Sequence, residues 1–116
     1  MTLQEIFDYL FEKYGEEFNW HMISHTKLQD TFVDELKREL GEENDIFCNK
    51  IYSLAKCDSN DDVLFLICND RVGELWRIYH LTYTSDNLSG FPQYEEFTRI
   101  NDVGEFIENQ FINEFL

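Results

Sequence analysis

Apolar residues recur every three or four positions in three parts of the chain, the spacing that aligns them on one face of an α-helix. Each series follows a capping-box sequence, in which a Thr or Asp and a Glu or Gln three residues later satisfy free backbone N–H groups. A glycine after each of the first two series predicts where those helices end. The predicted helices are residues 3–14 with a box at Thr2 and Glu5, the segment from Thr26 and Gln29 to Gly41, and the segment from Asp102 and Glu105 to the C-terminus.

The middle of the chain lacks this spacing and contains short apolar runs that are typical of β-strands. The run VLFLICN at 63–69 is continuous and short enough for a central strand. Acidic and glycine-containing segments at 58–62 and 70–73 predict turns on either side of it. The other predicted strands are 46–57 and 74–84, and residues 94–100 favour either a short edge strand or extended coil.

The order of these elements is two helices, three strands and one helix, with residues 16–25 predicted as an irregular turn of the chain. Consecutive strands joined by short turns form an antiparallel meander. We therefore expect an α+β fold of two layers, an antiparallel β-meander packed with two N-terminal helices and one C-terminal helix. The length of 116 residues fits a single domain spanning residues 1–116.

The charge balance is strongly acidic, since 24 Asp and Glu residues against nine Lys and Arg residues give a net charge of −15. A field of this sign repels nucleic acid and anionic lipid and accelerates encounter with basic proteins. It favours two interpretations, a basic protein partner or solubility alone. The acidic residues that form the candidate recognition surface are Glu16, Glu17, Asp30, Asp34, Glu35, residues 42–45, Asp58, Asp61 and Asp62.

The cysteines and the start of the chain indicate a reducing compartment. The spacing of Cys48, Cys57 and Cys68 forms no CxxC motif, and three cysteines cannot all pair in disulfides. Residues 1–15 show no signal-peptide pattern. The longest apolar stretch, residues 63–68, is far too short to span a bilayer. We therefore expect a cytoplasmic protein that does not enter a membrane.

The residues that could carry chemistry form no recognisable catalytic motif. His21 and His25 have the spacing of a helical metal site, but they lack the HExxH glutamate and a third ligand. The cysteines fit small buried side chains better than nucleophiles. Adjacent carboxylates such as Asp61 and Asp62 point to opposite faces of an extended chain and so do not form an acid/base pair. The sequence predicts no catalytic residue, no metal, no cofactor and no enzymatic activity.

The third strand, which includes WRIYHLTYT at 76–84, carries a histidine at its centre. Alternation places Trp76 and His80 on one face and Tyr79 and Tyr83 on the other. Both faces are largely apolar, so we expect both to be covered over part of their length. In that setting His80 is interpreted as structural, with a ring nitrogen donating to a nearby acceptor, and Trp76 and Tyr83 are likewise assigned to the fold.

Residues 58–97 combine the acidic turn SNDD, the apolar strand VLFLICND, the strand ending YHLTYT and the stretch FPQYEEF. This combination resembles small bacterial proteins with an HLTW- or HLTY-type strand, which include immunity proteins of polymorphic or contact-dependent toxin systems. The motif here is His80, Leu81, Thr82 and Tyr83, with Tyr83 where relatives often have Trp. The resemblance covers about a third of the chain. It implies a toxin-neutralising role and assigns no catalytic residue.

We therefore expect an immunity protein that binds one cognate toxin domain, a basic nuclease, and occludes its active site. The acidic surface would speed encounter, and a few aromatic residues would anchor the contact. The candidate anchors are Phe18, Trp20 and Phe91, with burial in the core as the alternative for each. The alternative functions are an acidic nucleic-acid mimic that inhibits a DNA-binding protein, and an adaptor or regulatory domain whose acidity serves only solubility; a small hydrolytic enzyme ranks last.

Overall fold

The computed structural model describes residues 2–69, 71, 73–83 and 92–115, which form three helices and one five-stranded antiparallel sheet. The helices are α1 (Leu3–Tyr14), α2 (Thr26–Leu40) and α3 (Ile100–Phe115), with 3₁₀ turns at Gly15–Glu17 and Asp45–Cys48. The strands are β1 (Trp20–Met22), β2 (Lys50–Cys57), β3 (Asp62–Asn69), β4 (Gly73–His80) and β5 (Gln93–Phe97). They lie in the order β1-β2-β3-β4-β5, so the predicted meander is present and gains β1 at one edge. Of the two alternatives for residues 94–100, the edge strand is present, as β5. The predicted α+β fold class is confirmed.

Helices cover both faces of the sheet, so the described elements form three layers rather than the expected two. The reason lies in β3, where neighbouring residues such as Val63 and Leu64 are both fully buried and point to opposite faces. A strand that is apolar on both sides needs a covering layer on each. The core beside α1 and α3 comprises Leu3, Ile6, Phe7, Leu10, Phe18, Trp20, Ala55, Cys57, Leu64, Ile78, Val103, Ile107 and Phe111. The core beside α2 comprises Ile23, Phe32, Leu36, Val63, Phe65, Tyr79 and Leu81.

The structure changes two predictions for the segments before and at the start of β2. Residues 20–22, inside the segment predicted as a turn, form β1 and pair with the end of β2, with Trp20 opposite Cys57. Residues 46–48, predicted as strand, belong to a 3₁₀ turn because the Asn44 side chain accepts a hydrogen bond from the second residue of that turn. The strand itself begins at Lys50.

One of the three predicted capping boxes is present. Thr2 caps α1 reciprocally with the glutamate three residues later. At α2 the cap position is occupied by His25, which makes no side-chain capping bond, and Thr26 is already helical. α3 begins at Ile100, so Asp102 lies in its first turn, where a carboxylate interacts favourably with the helix dipole rather than acting as the cap.

Candidate functional site

β1 and β3 begin, and β2 and β4 end, at one end of the antiparallel sheet. The C-terminal turns of α2 and α3 reach the same end, since Thr82 donates to Glu39 of α2 and Asn19 donates to Glu114 of α3. The backbone N–H of Asp58 donates to the Asn19 carbonyl at 2.6 Å, which joins the approach to β1 to the β2–β3 turn. We name this region the acidic sheet end after its carboxylates: Glu16, Glu17, Glu35, Glu39, Asp58, Asp61, Asp62 and Glu114.

Four carboxylates of this end are exposed to solvent and also belong to the recognition surface predicted from the sequence: Glu16, Glu17, Asp58 and Asp61. Lys56 lies beside the β2–β3 turn, but its Nζ donates to two backbone carbonyls of that turn, at 2.9 and 2.7 Å. The lysine therefore holds the turn in shape. The exposed carboxylates are presented on a backbone that is fixed by hydrogen bonds.

Asp62 lies inside this end of the sheet and is paired with His80. Its carboxylate is 5% exposed, and Oδ1 lies 2.5 Å from His80 Nδ1 on the neighbouring strand. Oδ2 accepts a hydrogen bond from Gln110 of α3 at 3.3 Å, and Gln110 in turn accepts from the indole N–H of Trp20 at 3.4 Å. The predicted hydrogen bond of His80 is thus present, its partner is Asp62, and the chain of bonds connects β4, β3, α3 and β1.

Glu39 binds the residues that follow β4. Its carboxylate accepts hydrogen bonds from the Thr82 N–H and hydroxyl, both at 2.7 Å, and from the Tyr83 N–H at 3.2 Å. These bonds turn the backbone away from the sheet, so β4 ends at His80 and not at the predicted residue 84. Burial opposes ionisation of Glu39, but its side-chain interaction with Glu35 and the hydrogen bonds that it accepts from Thr82 and Tyr83 outweigh burial and lower the pKa of Glu39 below its usual value.

Tyr83 is an exposed aromatic residue in an acidic setting. It is the one non-glycine residue among the described ones with a positive φ, 54°, and its side chain is 45% exposed. Partial burial and then the negative charges of Asp61, Glu35 and Glu39 raise the pKa of Tyr83 to about 12. An aromatic ring beside carboxylates suits a lysine or arginine side chain, which can pair with the carboxylates and lie on the ring.

The structure does not place the predicted aromatic anchors on the surface. Phe18 and Trp20 are 5% and 3% exposed and belong to the core beside α1 and α3, where Phe18 packs edge-on against Phe7 and Phe111. The core alternative therefore holds for both residues. Phe91 lies outside the described residues.

The remaining predicted residues are divided between the surface and the interior. Asp30 and Asp34 are exposed on α2, but Asp30 lies nine residues before Glu39, about 13 Å along the helix axis. Glu35 is half-buried and bound by Arg38. Trp76 is half-buried and packs against the core beside α1 and α3, as expected of a structural residue.

Sequence reasoning missed Glu39, although the sequence contains a signal for it. Phe32 and Leu36 mark the buried face of α2, and Glu39 follows them by seven and three residues, which places it on that same face. A carboxylate on an apolar face requires a partner, and the partner is supplied by the HLTY segment. Glu114 was missed because no local pattern connects it to residue 19.

The described side chains form no metal site, and the buried Cys57 thiol does not pair with His80. His21 lies on β1 with its Nδ1 2.7 Å from Asp58, whereas His25 precedes α2, and no three His, Cys, Asp or Glu side chains in the described ranges converge to hold a metal ion. Burial raises the pKa of the Cys57 thiol. β3 lies between Cys57 and the strand of His80, a separation of about 10 Å across two strand spacings, so this thiol and imidazole do not pair.

Comparison with known proteins gives no match: no protein-family model, no curated protein and no solved structure matches the chain. The resemblance to HLTY-type immunity proteins therefore stays a prediction. In the parts of the chain that the structure describes, no helix is both long and apolar enough to cross a membrane.

Proposed function

We propose that this protein is a cytoplasmic immunity protein that binds a basic toxin domain through the acidic sheet end and occludes its active site. The observation that carries the proposal is the convergence of carboxylates from distant parts of the chain at one end of the sheet. Glu16 precedes β1, Asp58 and Asp61 lie between β2 and β3, and Glu35 and Glu114 come from α2 and α3.

The arrangement of charge supports binding of a cationic surface. Among the charged groups of this end, the buried carboxylates of Glu39 and Asp62 are satisfied by internal hydrogen bonds. Glu16, Glu17, Asp58 and Asp61 lie on turns that hydrogen bonds hold in place, which reduces the entropy lost on binding. Carboxylates in fixed positions match the lysine and arginine side chains that line a nuclease groove, because these side chains bind carboxylate and phosphate in the same way. Such complementarity increases the association rate and the specificity of a complex.

The HLTY residues support the same proposal because they build this end of the sheet. His80 pairs with Asp62, Leu81 is buried against α2, and Thr82 and Tyr83 bind Glu39. The motif that resembles immunity proteins therefore fixes the backbone beneath the proposed binding surface.

Co-expression with the polypeptide encoded directly upstream tests the proposal. We expect the two chains to co-purify and the protein to restore growth of cells that express the upstream toxin domain. Asp58→Lys combined with Asp61→Lys should weaken the complex by about a hundredfold or more and abolish protection. Glu74→Lys combined with Glu105→Lys makes the same change in net charge at exposed positions away from the acidic sheet end and should bind nearly as the wild type does.

Two results contradict the proposal. If the protein neither binds the upstream polypeptide nor protects cells from it, that polypeptide is not its partner. Binding of equal affinity to several unrelated DNA-binding proteins, lost in the same way at high salt, would instead indicate a nucleic-acid mimic.

A further inference from the structure

β5 forms one edge of the sheet, and the structure describes no strand beyond it. An edge strand presents backbone N–H and C=O groups on its outer side that can pair with another extended chain. β1, at the other edge, has only three residues, whereas β5 has five, of which Gln93, Tyr94, Glu95 and Glu96 are exposed. β5 is therefore the longer of the two edge strands among the described residues.

Arg77 of β4 holds β5 in place. Its guanidinium lies 4.3 Å from the centre of the Tyr94 ring, and it donates to Glu96 at 2.9 Å and to the Tyr79 hydroxyl at 2.7 Å. These contacts of Arg77 order β5 in the free protein. Little entropy is therefore lost in ordering β5 when a further strand pairs with it.

A surface depression of about 410 Å³ lies along the same strand, lined by His80, Pro92, Gln93, Tyr94 and Glu95. Glu95 stands opposite Ile78 in the sheet register and is exposed. The depression offers space for a long side chain of a neighbouring strand, with a carboxylate at its wall.

The charges on β5 select the kind of strand that can pair with it. A second copy of this chain would bring two further glutamates against Glu95 and Glu96 and would itself carry a net charge of −15, so repulsion opposes pairing between copies. A basic strand would instead place its cations beside Glu95, since Glu96 is already paired with Arg77. The charge pattern therefore disfavours self-association and favours a basic segment.

We propose that β5 accepts an extended basic segment of the protein partner as a sixth strand, with a Lys or Arg side chain of that segment in the depression beside Glu95. Main-chain hydrogen bonds would supply affinity, and the alternating side chains would supply specificity. The inference rests on the proposed function only in expecting a basic partner. It adds a second contact, separate from the acidic sheet end.

A synthetic peptide tests the inference on the full-length ¹⁵N-labelled protein. The probe is the capped hexapeptide Lys-Val-Lys-Val-Lys-Val. The two matched probes are Glu-Val-Glu-Val-Glu-Val and a Lys-Val peptide methylated at every backbone nitrogen, which keeps the lysine charges but has no backbone N–H donors. We expect the Lys-Val peptide to shift the amide signals of residues 93–97 and to slow exchange of their outward N–H groups. The other two peptides should leave these signals unchanged.

Substitutions on the protein make the test specific to β5. Glu95→Lys should weaken binding of the Lys-Val peptide by about tenfold, whereas Glu105→Lys, an equal change of charge on α3, should not. Equal binding of the N-methylated peptide, or signal changes confined to the acidic sheet end, would overturn strand addition and leave the proposed function standing. Failure of the toxin to bind while the peptide still pairs with β5 would overturn the proposed function instead.

Discussion

At the scale of single residues, Glu39 explains why the HLTY segment leaves the sheet. A carboxylate that is 5% exposed must be bound by donors, because burial without hydrogen bonds is costly for a charged group. Thr82 supplies a backbone N–H and a hydroxyl, and Tyr83 supplies a second N–H with its φ in the left-handed region. The unfavourable backbone of Tyr83 is therefore compensated by the bond it makes to Glu39.

Replacing Glu39 by Gln should lower the free energy of unfolding by about 1–3 kcal/mol, the range for loss of a hydrogen bond to a buried charged group. The amide keeps one acceptor but turns an N–H₂ toward a backbone donor, so one N–H of residues 82–83 loses its partner. Urea unfolding at pH 7 measures the change. Glu42→Gln, at an exposed position just after α2, is the matched control and should change the free energy by less than about 0.5 kcal/mol.

The pH dependence of the free energy of unfolding, compared between the wild type and Glu39→Gln, tests the charge on Glu39. Because the pKa of Glu39 is lowered in the folded state, its contribution is fully present above the unfolded pKa of about 4.3 and is lost as the pH falls through the lower folded value. The stability difference between the wild type and Glu39→Gln should therefore be largest near pH 7 and shrink below about pH 4. A difference that grew on acidification would contradict this account.

We expect His80 to stabilise the fold through its contact with Asp62 and to supply neither charge nor a proton to partner binding. His80→Ala leaves the buried Asp62 carboxylate without its 2.5 Å contact and should lower the free energy of unfolding by about 1–3 kcal/mol. Adding Asp62→Asn should recover part of that loss, because the buried charge is then removed as well. Toxin binding by the folded fraction should change little, because Glu95 and not His80 supplies the charge of the depression beside β5. A loss of binding greater than the loss of folded protein would assign His80 a direct role.

At the scale of elements, the sequence predicts the parts whose signal is local and misses those that depend on distant contacts. α1 and the central strand β3 were predicted within a residue, because apolar spacing and turn residues mark them. β1 has only three residues and no period to detect, so the sequence leaves Trp20 open between a surface anchor and the core. The acidic sheet end could be predicted only in part. Asp58 and Asp61 are visible in the sequence, whereas their proximity to Glu35 and Glu114 depends on the order of strands and on which face each helix covers.

The contact between α1 and α3 depends on the absence of a side chain at Gly104. A Cβ at this position would lie 3.0 Å from Cγ2 of Ile6, which is itself buried. Gly104→Ala gains about 1 kcal/mol in helix propensity, but overpacking of a core contact costs about 1–3 kcal/mol, so we expect a net loss of stability. Ile6→Leu removes Cγ2 from the point of contact. A double-mutant cycle should show favourable coupling between the two substitutions, and additive effects would contradict the proposed overlap.

At the scale of the whole molecule, the negative charge is divided between two roles. The buried carboxylates Glu39 and Asp62 are bound by internal donors and stabilise the fold. The exposed ones gather at one end of the sheet, where only Asp58 has a basic side chain in contact, that of His21, among the contacts described, and repulsion between like charges opposes folding. Such a surface is expected of a protein whose cations are supplied by a partner, since residues that serve binding are often kept at a cost in stability.

Neutralising one exposed carboxylate of this end should therefore stabilise the free protein. We expect Asp61→Asn to raise the free energy of unfolding by up to about 0.5 kcal/mol at low ionic strength, and the gain to vanish near 1 M NaCl, where the screening length falls to about 3 Å. Glu74→Gln, an equal change at the opposite end of the sheet, should produce a smaller gain. Urea unfolding at both salt concentrations measures the difference. If Asp61→Asn instead destabilised the protein at low salt, its carboxylate would already have a favourable partner within the chain, and the acidic sheet end would lose one of the charges that the proposed binding requires.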